Sequence, residues 1–86
     1  MKLILFTTES CVPCKAFKEI FDREEELYSF VEFETLDAHK DRDMAIKYQV
    51  RTSPALVLLN DEGIQIGYKV HPYDQNDIYN LVMGEE

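Results

Sequence analysis

The sequence predicts an α/β fold in which one mixed four-stranded sheet carries helices on both faces. Two short apolar runs, residues 2–6 and 55–59, have the length and composition of strands buried on both sides. Between the strands lie segments whose apolar residues recur at helical spacing. Only residues 60–63 separate the last two strands, and they suit a tight turn. The predicted order is therefore strand, helix, strand, helix, strand, strand, helix (β-α-β-α-β-β-α).

The first half of the chain predicts a strand–helix–strand unit. Residues 2–6 form its first strand, and polar residues end that strand at once. Residues 15–28 are amphipathic, with charged residues on one side and an apolar stripe formed by Phe17, Ile20, Phe21, Leu27 and Tyr28. Residues 31–36 begin with strict alternation and form the second strand. We expect this unit to be parallel and right-handed.

The second half predicts a short helix and a hairpin. Residues 37–43 are polar and lead into a short helix that ends near Gln49. The buried strand 55–59 follows, and after the turn the alternating segment 64–69 forms the fourth strand. We expect these two strands to pair as an antiparallel hairpin, with Gly63 at a position of positive φ.

The last helix has clear boundary signals. Asp74 is suited to be its N-cap, with Asp77 three residues later, and Gly84 is suited to end it. Its predicted buried stripe consists of Ile78, Leu81 and Val82.

Length, composition and charge limit the classes of function. The 86 residues are expected to form a single domain, residues 1–86. The net charge of −8 argues against direct binding of nucleic acid, which requires a basic surface, and against an anionic membrane surface. No apolar run approaches the length of a membrane span, and the start of the chain does not resemble a signal peptide. We expect a cytoplasmic monomer.

The two cysteines of the chain form one motif, Cys11-Val12-Pro13-Cys14, between the first strand and the first helix. Two thiols at this spacing can open and close one disulfide. Cys11 precedes the helix, where free backbone N–H groups and the helix dipole favour the thiolate, whereas Cys14 lies about one turn deeper. Cys11 is therefore expected to attack a substrate disulfide and Cys14 to resolve the mixed disulfide. Pro13 and Lys15 are expected to modulate the site, Pro13 by stiffening the link and Lys15 by favouring the thiolate.

Three other interpretations of the cysteines remain open at this point. A static disulfide across so short a loop would constrain little entropy of the unfolded chain. A zinc site would need two further ligands, and the two histidines, His39 and His71, show no paired spacing. The two thiols could also be buried together by coincidence. Because reducing compartments disfavour structural disulfides, dithiol redox chemistry without any further cofactor is the favoured interpretation, and no metal is expected.

Thr52-Ser53-Pro54 opens the third strand and admits two interpretations. Pro54 fits the first residue of a strand, where no ladder hydrogen bond is lost. The second interpretation, a cis Ser53–Pro54 bond that turns the backbone of Ser53 outward beside the thiols, is raised only by the family resemblance described next.

Together, residues 5–15 around the cysteines and residues 47–56 around Pro54 resemble the thioredoxin superfamily, and the similarity spans nearly the whole chain. The resemblance implies a thioredoxin fold, with Cys11 as nucleophile, Cys14 as resolving thiol and Pro54 as a cis-proline. It also implies that Thr52, Ser53 and Pro54 bind substrate, the Ser53 backbone pairing with an extended peptide. Larger thioredoxins carry a buried Asp and a Lys below the cysteines. In this chain Leu5 and Phe33 stand at those positions.

The short length resembles glutaredoxins and the glutaredoxin-like redoxins that reduce ribonucleotide reductase, including compact forms found in phage. Residues 69–74 lack the Gly-Gly turn with which glutaredoxins hold glutathione. The resemblance thus implies protein disulfide substrates such as ribonucleotide reductase. The implied electron donor is a thioredoxin-reductase-type enzyme, with glutathione as the alternative. A different class of function also stays open, namely a non-catalytic interaction module in which the cysteines are incidental.

Overall fold

The computed structural model of the chain describes residues 1–84 and contains one four-stranded sheet with the strand order β2-β1-β3-β4. The strands are β1 (Lys2–Thr7), β2 (Glu32–Asp37), β3 (Ala55–Leu59) and β4 (Gln65–Val70). The helices are α1 (Val12–Glu24), α2 (Arg42–Lys47) and α3 (Gln75–Met83), and a 3-10 turn at Glu25–Leu27 follows α1. No helix within the described residues is both long and apolar enough to cross a bilayer.

The pairing of the strands confirms the predicted mixed sheet. β1 pairs with β2 in parallel and with β3 antiparallel, and β3 pairs with β4 antiparallel. The register places Phe6 of β1 opposite Ala55 of β3. The segment that leaves β1 toward α1 therefore runs beside the segment that enters β3.

The core lies on both faces of this sheet because side chains alternate along each strand. Leu3 and Leu5 of β1 face α1 and α3, where they pack with Phe17, Phe21, Ile78 and Val82. Ile4 and Phe6 face the other way and pack with Ala45 of α2 and with Tyr48, Ala55, Val57 and Leu59. Helices thus cover both faces, as the sequence predicts.

The prediction that Leu27 belongs to the buried apolar stripe of α1 is wrong. Leu27 is 69% exposed, whereas Phe17 and Phe21 are buried. The helix ends at Glu24 and the chain continues as a 3-10 turn. Because this turn changes the angular step per residue, Leu27 rotates away from the core, while Tyr28 beyond it returns to the core.

The alternation in β4 does not mark a buried side of the sheet. Ile66 and Tyr68 are 53% and 40% exposed. β4 is an edge strand, and α2, with only six residues, packs on the central strands and leaves this edge uncovered. The strand also begins at Gln65, one residue later than predicted.

The predicted boundary signals of the hairpin and of α3 are confirmed. Gly63 has a φ of 80° in the turn and Gly84 has a φ of 73° at the end of α3, both in the left-handed region that glycine adopts most easily. At the start of α3, Asp74 and Asp77 form a capping box: the Asp74 carboxylate accepts backbone N–H groups of the first turn, and the Asp77 carboxylate accepts the backbone N–H of Asp74.

Candidate active site

Cys11 is the N-cap of α1. Its backbone is extended, with φ −90° and ψ 106°, and its Sγ accepts a hydrogen bond from the backbone N–H of Cys14 at 3.1 Å. Pro13 occupies the first turn of the helix, where a missing N–H leaves no helical hydrogen bond unmade. The motif therefore begins the helix, and its first sulfur lies among the free N–H groups that favour a negative charge.

The two cysteines form a disulfide with their Cα atoms 5.2 Å apart. Cys14 is buried, with 1% of its surface exposed, while Cys11 is partly exposed and the intervening Val12 is 74% exposed. The structure thus presents one accessible sulfur and one sheltered sulfur in an oxidised pair.

The residues before β3 lie next to this pair. The Ser53–Pro54 peptide bond is cis, as the resemblance implied. The hydroxyl groups of Thr8 and Ser53 are 3.0 Å apart, and the backbone N–H of Cys11 donates to the carbonyl oxygen of Thr8 at 3.3 Å. One short chain of hydrogen bonds therefore connects the start of the cysteine motif with Ser53.

On its other side the same segment is held by His71, at the end of β4. The backbone N–H of His71 donates to the carbonyl oxygen of Pro54 at 2.9 Å, and the Thr52 hydroxyl lies 3.4 Å from His71 Nε2. Among the described residues, the backbone of Ser53 takes part in none of the turn and loop hydrogen bonds. Its peptide groups therefore have no backbone partner within residues 1–84.

Sequence reasoning missed Thr8 as a member of the site. The register supplies the signal, because pairing of Phe6 with Ala55 in antiparallel strands brings Thr8 opposite Ser53 two residues further along. A predicted pairing of β1 with β3 would have been enough to find this contact.

Two charged residues flank the motif. Lys15 is exposed on the first turn of α1, and Glu9 is exposed in the preceding loop. Glu9 lies 3.4 Å from the ammonium group of Lys40. A modulating role of Lys15 or Pro13 stays a prediction.

The polar residues that larger thioredoxins bury beneath the cysteines have no counterpart here. Leu5 is fully buried, and the ring of Phe33 packs against Phe21 with centroids 4.7 Å apart. None of the buried side chains within residues 1–84 is polar or charged. The same residues contain no group of three or more His, Cys, Asp or Glu side chains arranged to hold a metal ion.

The mixed sheet with helices on both faces and a disulfide at the start of α1 defines the class of protein as a thiol-disulfide oxidoreductase. The thioredoxin family model matches residues 1–83, and the chain belongs to the thioredoxin family. The family uses protein disulfides as substrates and a reductase as electron donor.

Individual relatives agree with this assignment. The chain is 27% identical over 79 residues to the SPbeta prophage-derived thioredoxin-like protein YosR of Bacillus subtilis, with 87% of this chain and 92% of that protein covered. Its fold matches Fasciola hepatica thioredoxin with a TM-score of 0.87 at 19% identity, over 99% of this chain and 80% of the other. Mitochondrial thioredoxin 3 of Saccharomyces cerevisiae, in its oxidised form, matches with a TM-score of 0.74 at 29% identity, over 80% and 64% of the two chains.

Proposed function

We propose that the chain is a small redoxin that reduces protein disulfides with Cys11 as nucleophile and Cys14 as resolving thiol. One observation carries this division of roles. The Sγ of Cys11 is the accessible sulfur and accepts the Cys14 N–H, whereas Cys14 is buried. A nucleophile must reach the substrate, and a resolving thiol need only reach its neighbour.

In the first step the Cys11 thiolate attacks one sulfur of the substrate disulfide. A mixed disulfide forms, and the second substrate sulfur leaves as a thiolate that takes up a proton. The N–H of Cys14 and the first turn of α1 stabilise the attacking anion before the step.

In the second step the Cys14 thiol loses its proton, which passes to solvent, and the resulting thiolate attacks Cys11 Sγ. The mixed disulfide breaks, the remaining substrate sulfur leaves as a thiolate, and the Cys11–Cys14 disulfide forms. Two electrons have then moved from the dithiol to the substrate. The disulfide of this structure is the oxidised product of that step.

The substrate peptide is positioned by the segment that contains Thr52, Ser53 and Pro54. Within residues 1–84 the backbone of Ser53 has no hydrogen-bond partner, and the Ser53 hydroxyl contacts Thr8, whose carbonyl oxygen accepts the Cys11 N–H. Both observations support strand-like pairing of Ser53 with an extended chain beside the sulfurs. Pairing through the backbone accepts many sequences, because it does not read side chains.

The electron donor of the proposed cycle is a thioredoxin-reductase-type enzyme, and ribonucleotide reductase is the proposed physiological substrate. The absence of a Gly-Gly turn in residues 69–74 favours this donor over glutathione. The likeness to a prophage-derived thioredoxin-like protein agrees with the compact phage-type redoxins. We place the protein in the cytoplasm, because a lone reversible cysteine pair functions in a reducing compartment.

The roles of the two cysteines can be tested with a matched pair of variants. With dithiothreitol as donor, the wild type should reduce insulin disulfides faster than dithiothreitol does alone. Cys11→Ser should abolish this acceleration. Cys14→Ser should instead accumulate mixed disulfides with substrate, visible by non-reducing electrophoresis and mass spectrometry. Wild-type activity in Cys11→Ser would overturn the proposal and favour a non-catalytic interaction module.

The donor is tested separately by NADPH oxidation. Thioredoxin reductase with this chain and insulin should consume NADPH, whereas glutathione with glutathione reductase should do so much more slowly. The reverse order would replace the proposed donor by glutathione and leave the cysteine chemistry intact. Mixed disulfides captured by Cys14→Ser from a lysate would include ribonucleotide reductase if the proposed substrate is right.

A further inference from the structure

An open cavity of about 710 Å³ lies beside Ser53, between α2 and the segment before β3. It is notable for the sign of its charges. The chain has 17 acidic residues against 9 lysines and arginines, yet every charged or titratable side chain of residues 1–84 that lines this cavity is basic. These side chains are His39, Arg42 and Arg51, and the hydroxyl groups of Thr8, Thr52 and Ser53 complete the polar part of the lining.

Neither arginine is paired with an acidic side chain in the described part of the chain. Within residues 1–84 the ion pairs involve lysines and the N-terminal amine, and neither Arg42 nor Arg51 takes part in one. Asp41 and Asp43, which flank Arg42 in sequence, line a neighbouring cavity to which Arg42 also contributes, but neither carboxylate forms an ion pair with Arg42 within residues 1–84. The guanidinium groups are therefore available to an anion from outside, and their planar donors suit a carboxylate.

Two further acids, Glu9 next to Thr8 and Asp37 next to Ala38 in the sequence, are already engaged. Glu9 lies 3.4 Å from Lys40, and Asp37 accepts the backbone N–H groups of His39 and Lys40 at 2.8 and 3.1 Å. Neither carboxylate lines the cavity. An incoming carboxylate would thus meet arginine, histidine and hydroxyl groups in the lining, to which no acidic side chain of residues 1–84 contributes.

The cavity is continuous with the redox site through two residues. Thr8 and Ser53 line it, and both belong to the hydrogen-bonded chain that ends at Cys11. A peptide paired with the Ser53 backbone advances about 3.3 Å per residue, so a side chain one or two residues from the substrate cysteine falls near this cavity.

We propose that the cavity binds a carboxylate which the substrate carries one or two residues from its disulfide, with Arg42 and Arg51 as the residues that determine this specificity. The proposal rests on the proposed function of Cys11 and Cys14. The net charge of −8 disfavours acidic partners at long range, and a carboxylate bound in this cavity would offset part of that repulsion for the substrate that carries it. Local recognition then selects among substrates that the overall field does not favour.

The test uses the reduced full chain and disulfide-linked peptides that differ only at the positions next to cysteine, which are Glu, Gln or Lys. The second-order rate constant of reduction is measured without any electron donor. At low salt the Glu peptide should react about fivefold faster than the Gln peptide, the size expected for a partly exposed ion pair. Glutathione disulfide forms a separate arm, because its carboxylates are an alternative source of the same chemistry.

Arg42→Gln and Arg51→Gln should each reduce the preference for Glu over Gln and leave the rate for the Gln peptide unchanged. Arg23→Gln is the matched control, since it removes the same charge at the last turn of α1, outside the cavity. If the arginine variants lose the preference for the Glu peptide over the Gln peptide, the cavity binds a peptide carboxylate. If they instead reduce only the rate with glutathione disulfide, the carboxylate comes from glutathione.

Two failures are distinguishable. Equal rates for the Glu, Gln and Lys peptides, or a preference that survives in both cavity variants, would overturn the carboxylate site while the redox function stands. If the reduced chain transfers no electrons to any peptide, the proposed function itself fails, and the specificity proposal fails with it.

Discussion

The backbone N–H of Cys14 donates to the Sγ of Cys11 at 3.1 Å, so the resolving residue also caps the sulfur that it later attacks. This contact exists because Cys11 occupies the N-cap position and Cys14 the third position of α1. In a serine or threonine N-cap the side-chain oxygen accepts the same N–H group. Here the acceptor is sulfur, and a thiolate accepts such a hydrogen bond better than a thiol does.

The first prediction concerns the unequal reactivity of the two thiols. In the reduced protein at neutral pH, Cys11 should be alkylated by iodoacetamide at least about tenfold faster than Cys14. The reason is that Cys14 is 1% exposed, whereas Cys11 is accessible and lies at the helix N-terminus. Peptide mapping by mass spectrometry over time measures both rates. In urea the two rates should converge, and equal rates in the folded protein would contradict the assigned roles.

The second prediction concerns the charges beside the motif. Lys15→Gln should change the rate of insulin reduction by less than about twofold, because the ammonium group is exposed and its field is screened by solvent. Any change should disappear in about 0.5 M salt, where the Debye length is only a few ångströms. Glu9→Gln is the control of opposite sign. A large effect that survives high salt would show that Lys15 acts through a direct contact.

Much of the fold could be predicted from local pattern. The unbroken apolar residues of β1 indicated a strand buried on both sides, and its side chains do divide between the two cores. Leu27 was placed wrongly because a change from α to 3-10 geometry leaves no sequence signal. The exposure of Ile66 and Tyr68 in β4 could not be predicted from the sequence either, because it depends on how far the short helix α2 extends over the sheet.

The site also contains one part that could be predicted from the sequence and one part that could not. The roles of Cys11 and Cys14 follow from one short motif and its place before a helix. The basic cavity does not follow from a motif. Arg42 lies in α2 and Arg51 in the segment before β3, and only the folded chain places both in the lining of one cavity. Convergence of this kind has no periodicity or motif that a single sequence displays.

The third prediction concerns the apolar floor beneath the cysteines. Leu5→Asp should lower the free energy of unfolding by about 3 kcal/mol or more, because it buries a carboxyl group without a partner and removes core packing. Leu5 is fully buried, and the nearby Phe33 offers an aromatic ring rather than a cation. Urea denaturation measures the loss, and Leu5→Met, with a loss below about 1.5 kcal/mol, is the control. Similar stability in both variants would mean that a polar partner for the carboxylate had been overlooked.

The fourth prediction concerns acid stability at Asp37, the last residue of β2. Its carboxylate accepts the backbone N–H groups of His39 and Lys40 at 2.8 and 3.1 Å. The hydrogen bond from Lys40, followed by that from His39, lowers the pKa of Asp37 below its ordinary value of 3.8. Because the folded-state pKa is the lower one, the ionised group stabilises the fold above pH 3.8, and this contribution is lost as the pH falls below that value through the folded-state pKa.

Asp37→Asn retains an acceptor oxygen of similar shape but cannot ionise, so it isolates the contribution of the charge. The wild type should be more stable than Asp37→Asn at about pH 6, and the difference should shrink toward about pH 2.5, where both side chains are neutral. Urea unfolding midpoints of the two proteins at several pH values measure this difference. Asp61, whose pKa is also lowered, is common to both proteins and cancels in the comparison. A difference that stays constant across this range would show that the ionised state of Asp37 adds nothing to the turn between β2 and α2.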